Sequence, residues 1–347
     1  MTFDPNGVGI ANGNIFGFPV TAEEAQIVIT PIPFDATASY GKGASDGPRV
    51  ILEASTQLDF FHPNLERAWE TKVFMSKISE EWSLINTELC IKAIDYIQFL
   101  ENGGKIEDEP DYQKLVEVIA EAQNALKENL KEKARSLFAE NKIPALLGGE
   151  HSVSLGLIEA VNELNIPFGV LQIDAHADLR EAYEGFQQSH ASIMYNVLKN
   201  CDNMQKLVQV GIRDIAQSEI DLIKNSEGRV KTFFDWDLKE AQFNGKTWKN
   251  LVDEIIESLP QNIYISFDID GLKPNLCPNT GTPVVGGFEL EEISYLLFEI
   301  VKAGKKIVAF DLNEVAPGDN DDWDANVGSR ALWNLVCATE KSRRNDN

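Results

Sequence analysis

Short apolar segments of this chain end repeatedly in clusters of acidic residues and histidines. Carboxylate oxygens and imidazole nitrogens are the ligands that many divalent cations take in proteins. A single pair of aspartates is common in solvated loops, and GGEHS (148–152) alone could be a turn that caps a helix. Several such clusters in one chain are poorly explained by chance and indicate a metal-dependent active site. In chain order the residues are His151; Asp174, His176 and Asp178; Asp268 and Asp270; and Asp311 and Glu314.

The spacing within each cluster has a physical reason. In an extended segment, residues two positions apart point the same way, so Asp174, His176 and Asp178 can converge as they leave a strand. Burying several carboxylates together is strongly unfavourable unless cations compensate them. We therefore predict two divalent ions per chain. The oxygen-rich ligand set favours Mn²⁺, and the imidazoles also admit Ni²⁺ or Fe²⁺.

The histidines are concentrated at these motifs. The chain has only four histidines, and His151, His176 and His190 lie in or just after the motifs. His62 stands apart and is expected to be a structural residue rather than a ligand. The four cysteines are far apart and form no CxxC pair, so free thiols are expected.

The segments that precede the motifs are the elements that must position them. They are short, nearly continuous apolar runs separated by segments able to form helices, which is typical of a parallel sheet covered on both faces. Ligands bind at the carboxyl ends of the strands in such sheets. The runs are AQIVITPIPFD (25–35), IPALL (143–147), PFGVLQI (167–173), KLVQVGI (206–212), NIYISFDI (262–269) and KIVAFDL (306–312).

The rest of the chain suggests additions to this core rather than a second domain. No linker or change in composition interrupts residues 1–347, so we expect one domain. The stretch 1–21 is rich in Gly and Asn and is predicted to be an N-terminal arm or covering loop. Helical spacing over 84–101 and 111–140 predicts a helical hairpin, an insert of about 84–140.

Composition excludes several classes of partner. The net charge of −24 argues against nucleic acid and anionic membranes, which both need a basic surface. It would modestly favour a cationic substrate, although solubility or a saline habitat explains it equally well. No apolar run could span a bilayer and the N-terminus has no signal pattern, so a cytoplasmic protein is expected.

The motifs together resemble those of the ureohydrolase family, which includes arginase and agmatinase. The resemblance runs from about Ile27 to Ala338. It implies a three-layer α/β/α sandwich around a mainly parallel sheet and a homo-oligomer, either a trimer or a hexamer. Agmatinase-type enzymes and guanidine hydrolases are the most similar members. The motifs are LGGEHS (147–152), DAHADLR (174–180), SFDIDGL…TGTP (266–283) and NEVAP (313–317).

The resemblance also implies a role for each residue of the site. Water activated by two metals attacks the guanidinium carbon, and the intermediate collapses to urea and an amine. Asp174 and Asp268 bridge the metals, and Asp178 counts among the catalytic residues as well as the ligands. The first metal is held by His151, Asp174, Asp178 and Asp268, and the second by Asp174, His176, Asp268 and Asp270.

Three further residues are expected to act on the substrate. Glu314 matches a carboxylate that pairs with the guanidinium group, and Thr282 matches a threonine that hydrogen-bonds this carboxylate. His190 matches a mobile histidine that shuttles a proton to the departing amine. The chain departs from the family pattern at Glu150 and Lys273, which stand where aspartates are usual.

The substrate is left open among small cationic guanidino compounds. The stretch LREAYEGFQQSH (179–190) has Arg180 where arginases have asparagine, which favours an agmatinase-type substrate. Agmatine ranks first and yields putrescine and urea. Free guanidine ranks second, because GNIFGF (13–18), the long insert and DANVGSR (324–330) resemble guanidine hydrolases and an arm that plugs the pocket would suit a very small substrate. Guanidino acids such as guanidinobutyrate follow, and arginine ranks last.

Two alternatives from other classes share the metal motifs. Formiminoglutamase would release formamide instead of urea. A catalytically inactive metal-binding homologue is disfavoured because no expected ligand is missing and both Glu314 and His190 are present.

Overall fold

The computed structural model describes residues 3–319 and 321–344. Its centre is an eight-stranded sheet in which every neighbouring pair of strands is parallel, with the order β2-β1-β3-β8-β7-β4-β5-β6. The strands are β1 Ile27–Pro31, β2 Val73–Met75, β3 Ile143–Leu147, β4 Phe168–Ile173, β5 Met204–Ile212, β6 Val230–Phe234, β7 Asn262–Asp268 and β8 Lys306–Asn313.

Helices connect the strands and cover both faces of the sheet. No described helix is both long and apolar enough to cross a bilayer. The α-helices of the described residues are α1 Gly47–Ala54, α2 Glu80–Glu101, α3 Pro110–Ala139, α4 Leu155–Asn162, α5 Ile193–Asn200, α6 Gln217–Asn225, α7 Asp235–Phe243, α8 Trp248–Ser258, α9 Leu290–Lys302 and α10 Trp323–Arg344.

The central strands are apolar along their whole length because both of their faces are buried. All six residues of β4 are buried, and alternate side chains enter two different cores. Leu171 and Ile173 belong to one core, and Phe168 and Val170 belong to the other. These two cores, one on each side of a parallel sheet, confirm the predicted α/β/α sandwich.

The sequence did not predict the two edge strands. β2 has only three residues, which is too short for a hydrophobic run to stand out. β6 reads VKTFF, and most of its residues are partly or fully exposed because a neighbour covers only one of its edges. The apolar-run criterion finds strands that are buried on both faces and misses such edges.

The sheet order explains how the motifs meet. The four strands that precede the motifs, β3, β8, β7 and β4, are consecutive neighbours in the middle of the sheet. Leu147 lies beside Leu312, and Asp268 lies beside Asn313, so these strands end at nearly the same level. The following residues therefore emerge at one carboxyl edge.

The N-terminal arm packs against the body of the protein through its aromatic residues. Ile15–Gly17 forms a short 3-10 helix, and Phe16 and Phe18 are buried. Their rings pack against Trp333 of α10 at centroid distances of 5.0 and 5.9 Å. The aromatic side chains of the arm thus complete a hydrophobic core, whereas residues 6–13 are exposed.

The predicted helices over 84–101 and 111–140 are present as α2 and α3, which we call the helical hairpin (80–139). Tyr112 at the start of α3 packs on Tyr96 and Phe99 of α2, with ring centroids 5.3 and 4.8 Å apart. Ile119 and Leu126 are buried on the face of α3 that meets the body of the protein. The hairpin is therefore an integral part of the hydrophobic core.

Candidate metal centre

His151 and three aspartates form the first cluster at the carboxyl edge. The Nδ1 atom of His151 lies 3.2 Å from Asp174 Oδ2, 3.1 Å from Asp178 Oδ2 and 3.4 Å from Asp268 Oδ2. His151 follows β3 through Gly149, where a Cβ atom would lie 2.1 Å from the carbonyl oxygen of Phe34. Only glycine permits this close approach, which brings His151 to the edge.

The hydrogen bonds of His151 determine which of its nitrogens is free. Its Nε2 atom lies 2.8 Å from Ser266 Oγ, and that hydroxyl donates to Asp311 at 3.0 Å. The Ser266 oxygen therefore accepts a hydrogen bond from His151 Nε2–H, and Nδ1 is left with its lone pair. This Nδ1 atom is fully buried and makes no hydrogen bond, although three carboxylates surround it. A lone pair amid carboxylate oxygens fits a bound cation.

Asp311 is buried inside the sheet and supports the site through hydrogen bonds. The sequence grouped it with the carboxylates that follow strands, but it is buried within β8 and accepts hydrogen bonds from Tyr264, Ser266 and Asn313. The Tyr264 hydroxyl donates to it at 2.6 Å. This network fixes the tautomer and ring orientation of His151. Sequence reasoning missed Ser266 and Tyr264, although polar residues inside an otherwise buried strand are a usable signal.

The second cluster surrounds His176. Its Nδ1 atom lies 2.9 Å from Asp270 Oδ2 and 3.7 Å from Asp174 Oδ1. The two oxygens of Asp174 thus face different histidines, Oδ2 toward His151 and Oδ1 toward His176. Asp268 places Oδ2 near His151, whereas its Oδ1 accepts a hydrogen bond from the backbone of Asp270 at 2.9 Å.

Burial of so many carboxylates shifts their pKa values. Burial and the neighbouring Asp174 raise the pKa of Asp178 to about 7. Burial, Asp270 and Asp174 raise the pKa of Asp268 well above its usual range. Burial alone would lower the pKa of His151, but the surrounding carboxylates raise it well above the ordinary value. Divalent cations would relieve this repulsion and displace these protons.

Two sets of donors are close enough to hold metal ions. The donor atoms of each set lie within 4.8 Å of one another, and Asp174 belongs to both. They include five of the six ligands predicted from the sequence, and the sixth, Asp268, lies against the first set. The sets are His151, Asp174 and Asp178, and Asp174, His176 and Asp270. Their nitrogen and oxygen donors fit divalent metal ions.

A cleft of about 150 Å³ opens onto this centre. Four residues predicted for the site line it, namely His176, Asp178, His190 and Thr282. The remaining lining residues include a buried Glu219 and a cation–π pair in which the Arg180 guanidinium lies 4.7 Å from the centre of the Tyr183 ring.

His190 is held at the cleft as a neutral imidazole. Its Nδ1 lies 3.1 Å from the carbonyl oxygen of Thr37, so Nδ1 donates and Nε2 carries the lone pair. Nε2 lies 3.3 Å from Ser39 Oγ, whose hydroxyl can donate to it. Burial and the nearby His176 lower the pKa of His190 to about 4.

Glu314 and Thr282 lie near the centre, and their hydrogen bonds go to different partners. Glu314 Oε1 accepts a hydrogen bond of 2.7 Å from the backbone of His151, and its pKa is raised well above the usual range by burial and by Glu150. Thr282 instead donates to Asp270 Oδ2 at 3.3 Å, because the TGTP loop lies beside the DID loop. Glu314 has a φ of 65° and Asp178 a φ of 55°, which is left-handed backbone of the kind found at functional sites.

The two departures from the family pattern have different surroundings. Glu150 is fully buried, and its Oε1 accepts hydrogen bonds from Thr37 and Ser152 at 2.6 and 2.7 Å. Burial raises the pKa of Glu150 to about 7. Lys273 forms an ion pair with Glu289 at 2.7 Å near the surface.

Comparisons with known proteins agree with this geometry. Residues 25–338 match the model of the Arginase family. The chain is 32% identical over 295 residues to an N(1)-aminopropylagmatine ureohydrolase of Thermus thermophilus, covering 85% of this chain and 84% of the relative. It is 28% identical to an agmatinase of Halalkalibacterium halodurans, with 85% of each chain covered.

A solved structure shares the whole fold. The agmatine ureohydrolase of Thermoplasma volcanium superposes with a TM-score of 0.72 at 21% identity, covering 96% of each chain. The family match covers most of the chain, one relative is more than 30% identical, and the predicted ligands gather at one sheet edge. The chain therefore belongs to the arginase family and is a metal-dependent amidinohydrolase of the ureohydrolase kind.

Proposed function

We propose that this ureohydrolase cleaves the guanidino group of agmatine to give putrescine and urea. The observation that carries the proposal is the division of Asp174 between two imidazoles, with Oδ2 facing His151 Nδ1 and Oδ1 facing His176 Nδ1. A binuclear metal centre is general in the family. We assign its ligands here to His151, Asp174, His176, Asp178, Asp268 and Asp270.

In this proposal, Asp178 is both a ligand and a catalytic residue at the wall of the cleft, and divalent ions bound there would supply the Lewis acidity that lowers the pKa of the attacking water. Glu314 pairs with the guanidinium group, whose positive charge favours the ionised form of this carboxylate. Its hydrogen bond to the His151 backbone orients it. Thr282 donates a hydrogen bond to Asp270 and so orients this carboxylate rather than that of Glu314.

His190 moves the proton that the departing amine requires. Its free Nε2 atom faces Ser39 at the cleft and can accept a proton released during attack. The low pKa of His190 makes it a weak base that returns the proton readily to the amine nitrogen. The nearby Ser39 hydroxyl offers a hydrogen-bonded route between this nitrogen and the substrate.

The cleft suits a substrate that carries a second amine. Asp214 lines it and places a carboxylate beyond the metal ligands. Glu219 also lines it, but this buried carboxylate accepts hydrogen bonds from the backbone of Leu179 and Ala216 and lies 4.0 Å from Arg180. The curated relatives named above act on agmatine or on aminopropylagmatine, as their names state. None of residues 3–21 lines the cleft, so the arm gives no reason for preferring free guanidine.

A second candidate substrate is N(1)-aminopropylagmatine. A groove of about 270 Å³ shares Ser39 with the cleft and runs along α2 past Gln98 and Glu101. The tail of a longer, amine-rich guanidino compound could extend along this groove toward the Glu101 carboxylate. The two candidate substrates therefore differ in the space they need: agmatine would occupy the cleft alone, whereas N(1)-aminopropylagmatine would also occupy the groove.

A panel of urea-release assays tests the proposal. The protein is loaded with Mn²⁺ or Ni²⁺, its metal content is measured, and agmatine, N(1)-aminopropylagmatine, guanidine, 4-guanidinobutyrate and arginine are compared. We expect two ions per chain and the highest kcat/KM with agmatine. A higher value with guanidine, an acid or arginine contradicts the substrate assignment. Formamide release from formiminoglutamate without urea from any compound contradicts the reaction itself.

Replacing Glu314 by glutamine tests the role of its charge. An amide oxygen can still accept the hydrogen bond from the His151 backbone, so the fold and both metals are expected to remain. Loss of the ion pair with the guanidinium should raise KM and lower kcat/KM by about thirtyfold or more, in line with the 2–5 kcal/mol found for truncated buried charge pairs. Unchanged kinetics would place the guanidinium elsewhere.

A further inference from the structure

The helical hairpin touches two loops that border the cleft. The Thr37 loop (34–40) follows β1, and the His190 loop (183–190) precedes α5. Asn86 of α2 exchanges two hydrogen bonds with Asp35, at 2.8 and 2.9 Å. Tyr96 of α2 donates to the carbonyl oxygen of Glu184 at 2.8 Å. Each of these contacts anchors one loop to α2.

Gln123 of α3 contacts both loops with one amide. Its Nε2 donates to the Thr37 hydroxyl at 3.4 Å and to the carbonyl oxygen of Gln188 in the His190 loop. The side chain is only 6% exposed, so water does not readily replace these bonds. Gln123 therefore connects the two loops as well as attaching them to the hairpin.

The Thr37 loop in turn holds the imidazole of His190. The carbonyl oxygen of Thr37 accepts from Nδ1 at 3.1 Å, and Ser39 lies 3.3 Å from Nε2. The position of this imidazole therefore depends on the distance between two loops that are far apart in the sequence. The amide of Gln123 spans that distance.

We infer that Gln123 is a positioning residue that fixes His190 for proton transfer by tying the Thr37 loop to the His190 loop. This inference rests on the proposed function of His190. It also gives the helical hairpin a role in the reaction, because a residue at its centre sets the geometry of the cleft. The anchors at Asn86 and Tyr96 keep the hairpin attached when the amide of Gln123 is removed.

The test variant is Gln123→Met, which keeps the length of the side chain and removes both donors. A misplacement of catalytic groups by about 1 Å can reduce turnover by up to about a hundredfold. We expect kcat for agmatine to fall about tenfold, with KM within about twofold and two metal ions retained. Asn124→Ala is the matched control. Asn124 follows Gln123 on α3, and its exposed side chain accepts a hydrogen bond from the Gln188 side chain, which the change to alanine removes. This control should keep wild-type kcat.

A double-mutant cycle distinguishes positioning from general loss of structure. If Gln123 acts through His190, the change to methionine should lower kcat less than twofold when His190 is already alanine. An equal loss in both backgrounds, or no loss in the wild type, overturns the inference.

A spectroscopic measurement keeps this test separate from the proposed function. The chain has only four histidines, so their ring signals can be assigned in Zn²⁺-loaded protein with the His62→Asn and His190→Asn variants. We expect Gln123→Met to shift or broaden the His190 ring signal and to leave that of His62 unchanged. If the wild type releases no urea, the proposed function fails, and the signal of His190 still decides whether Gln123 positions it. An unchanged His190 signal overturns the inference.

Discussion

The metal centre and the aromatic cluster of the N-terminal arm are both buried, yet they are built on opposite principles. The aromatic cluster, formed by Phe3, Phe16, Phe18, Phe60 and Trp333, packs its rings edge to face at centroid distances of 4.9 to 5.9 Å. The metal centre buries like charges, and the pKa of Asp178 rises to about 7. One region gains free energy from its own contacts, and the other requires ions.

Both regions contain residues with strained backbone, and this strain is offset differently in each region. Phe16 has a φ of 59°, which costs roughly 1–2 kcal/mol for a residue that is not glycine. Its burial against Trp333 offsets that amount within the cluster. Asp178 and Glu314 have similar φ values but face other carboxylates, so their strain is offset by the rest of the fold. Stability and function are therefore expected to separate in mutants of the two regions.

The largest effect should follow Asp174→Ala. Because Asp174 faces both histidines, its loss should remove both ions and lower activity by about a thousandfold or more, which corresponds to about 4 kcal/mol of transition-state stabilisation. Metal-free Asp174→Ala should be less stable than the metal-free wild type, because Gln172 and the His176 backbone lose their acceptor and, although burial opposes it, His151 and His176 lower the pKa of Asp174 in the folded protein. Metal analysis, urea release and denaturant unfolding check this. The exposed Asp202→Ala is the control, and full metal content in Asp174→Ala contradicts the bridging role.

The reverse pattern is expected for Phe18→Ala in the aromatic cluster. Removing this buried ring should lower the free energy of unfolding by about 3–5 kcal/mol. Metal content and kcat at low temperature should stay near wild type. Val8→Ala in the same arm is the control because Val8 is 89% exposed, and it should change stability little. Loss of metal in Phe18→Ala would show that the two regions are coupled.

His190→Ala sharpens the comparison within the site itself. His190 lies at the cleft but is not a predicted ligand, so both ions should stay bound. Loss of a proton-transfer group should lower kcat about a hundredfold at neutral pH. Imidazole added to the solution should restore part of this activity. If the metals leave with the side chain, His190 supports the centre instead of moving protons.

The smallest effect concerns His62, which borders the aromatic cluster. Its ring packs on Phe298 at 4.5 Å and bonds to Asn334 at 3.1 Å. Burial lowers the pKa of His62, and the bond to Asn334 opposes this only in part. The unfolded chain therefore binds a proton more readily, so His62 reduces stability as pH falls below about 6.5. Replacing it by glutamine should flatten the difference in Tm between pH 7.5 and 5.5, whereas an unchanged difference would assign that pH dependence to other groups.

The sequence predicted the parts of the site that follow central strands. Asp174 directly follows β4, His151 lies four residues after the end of β3, and Asp268 is the last residue of β7. The order of strands in a parallel sheet brings such positions together. This reasoning needs only local patterns and the general geometry of the sheet. The same reasoning predicted that Asp174, His176 and Asp178, which alternate along one segment, converge at the site.

Contacts between distant elements could not be predicted in the same way. Gln123 is one polar residue on a long amphipathic helix, and nothing nearby in sequence indicates that it meets Thr37 and Gln188. The partner of Thr282 depends on how two loops cross, which spacing does not define. Phe16 and Phe18 stand in a Gly- and Asn-rich stretch, whose composition concealed their burial. In each case the deciding information is tertiary packing.

The order of the strands in the sheet has a consequence for biosynthesis. Donors of the metal centre lie on segments that begin at His151 and end at Asp270, and Asn313 of the last strand, β8, supports them through Asp311. The first donor set is complete in sequence at Asp178, whereas the second set also needs Asp270, and the support through Asp311 needs β8. A nascent chain can thus hold both ions in the finished arrangement only after β7 and β8 have been translated and paired, so full uptake of metal reports an assembled central sheet.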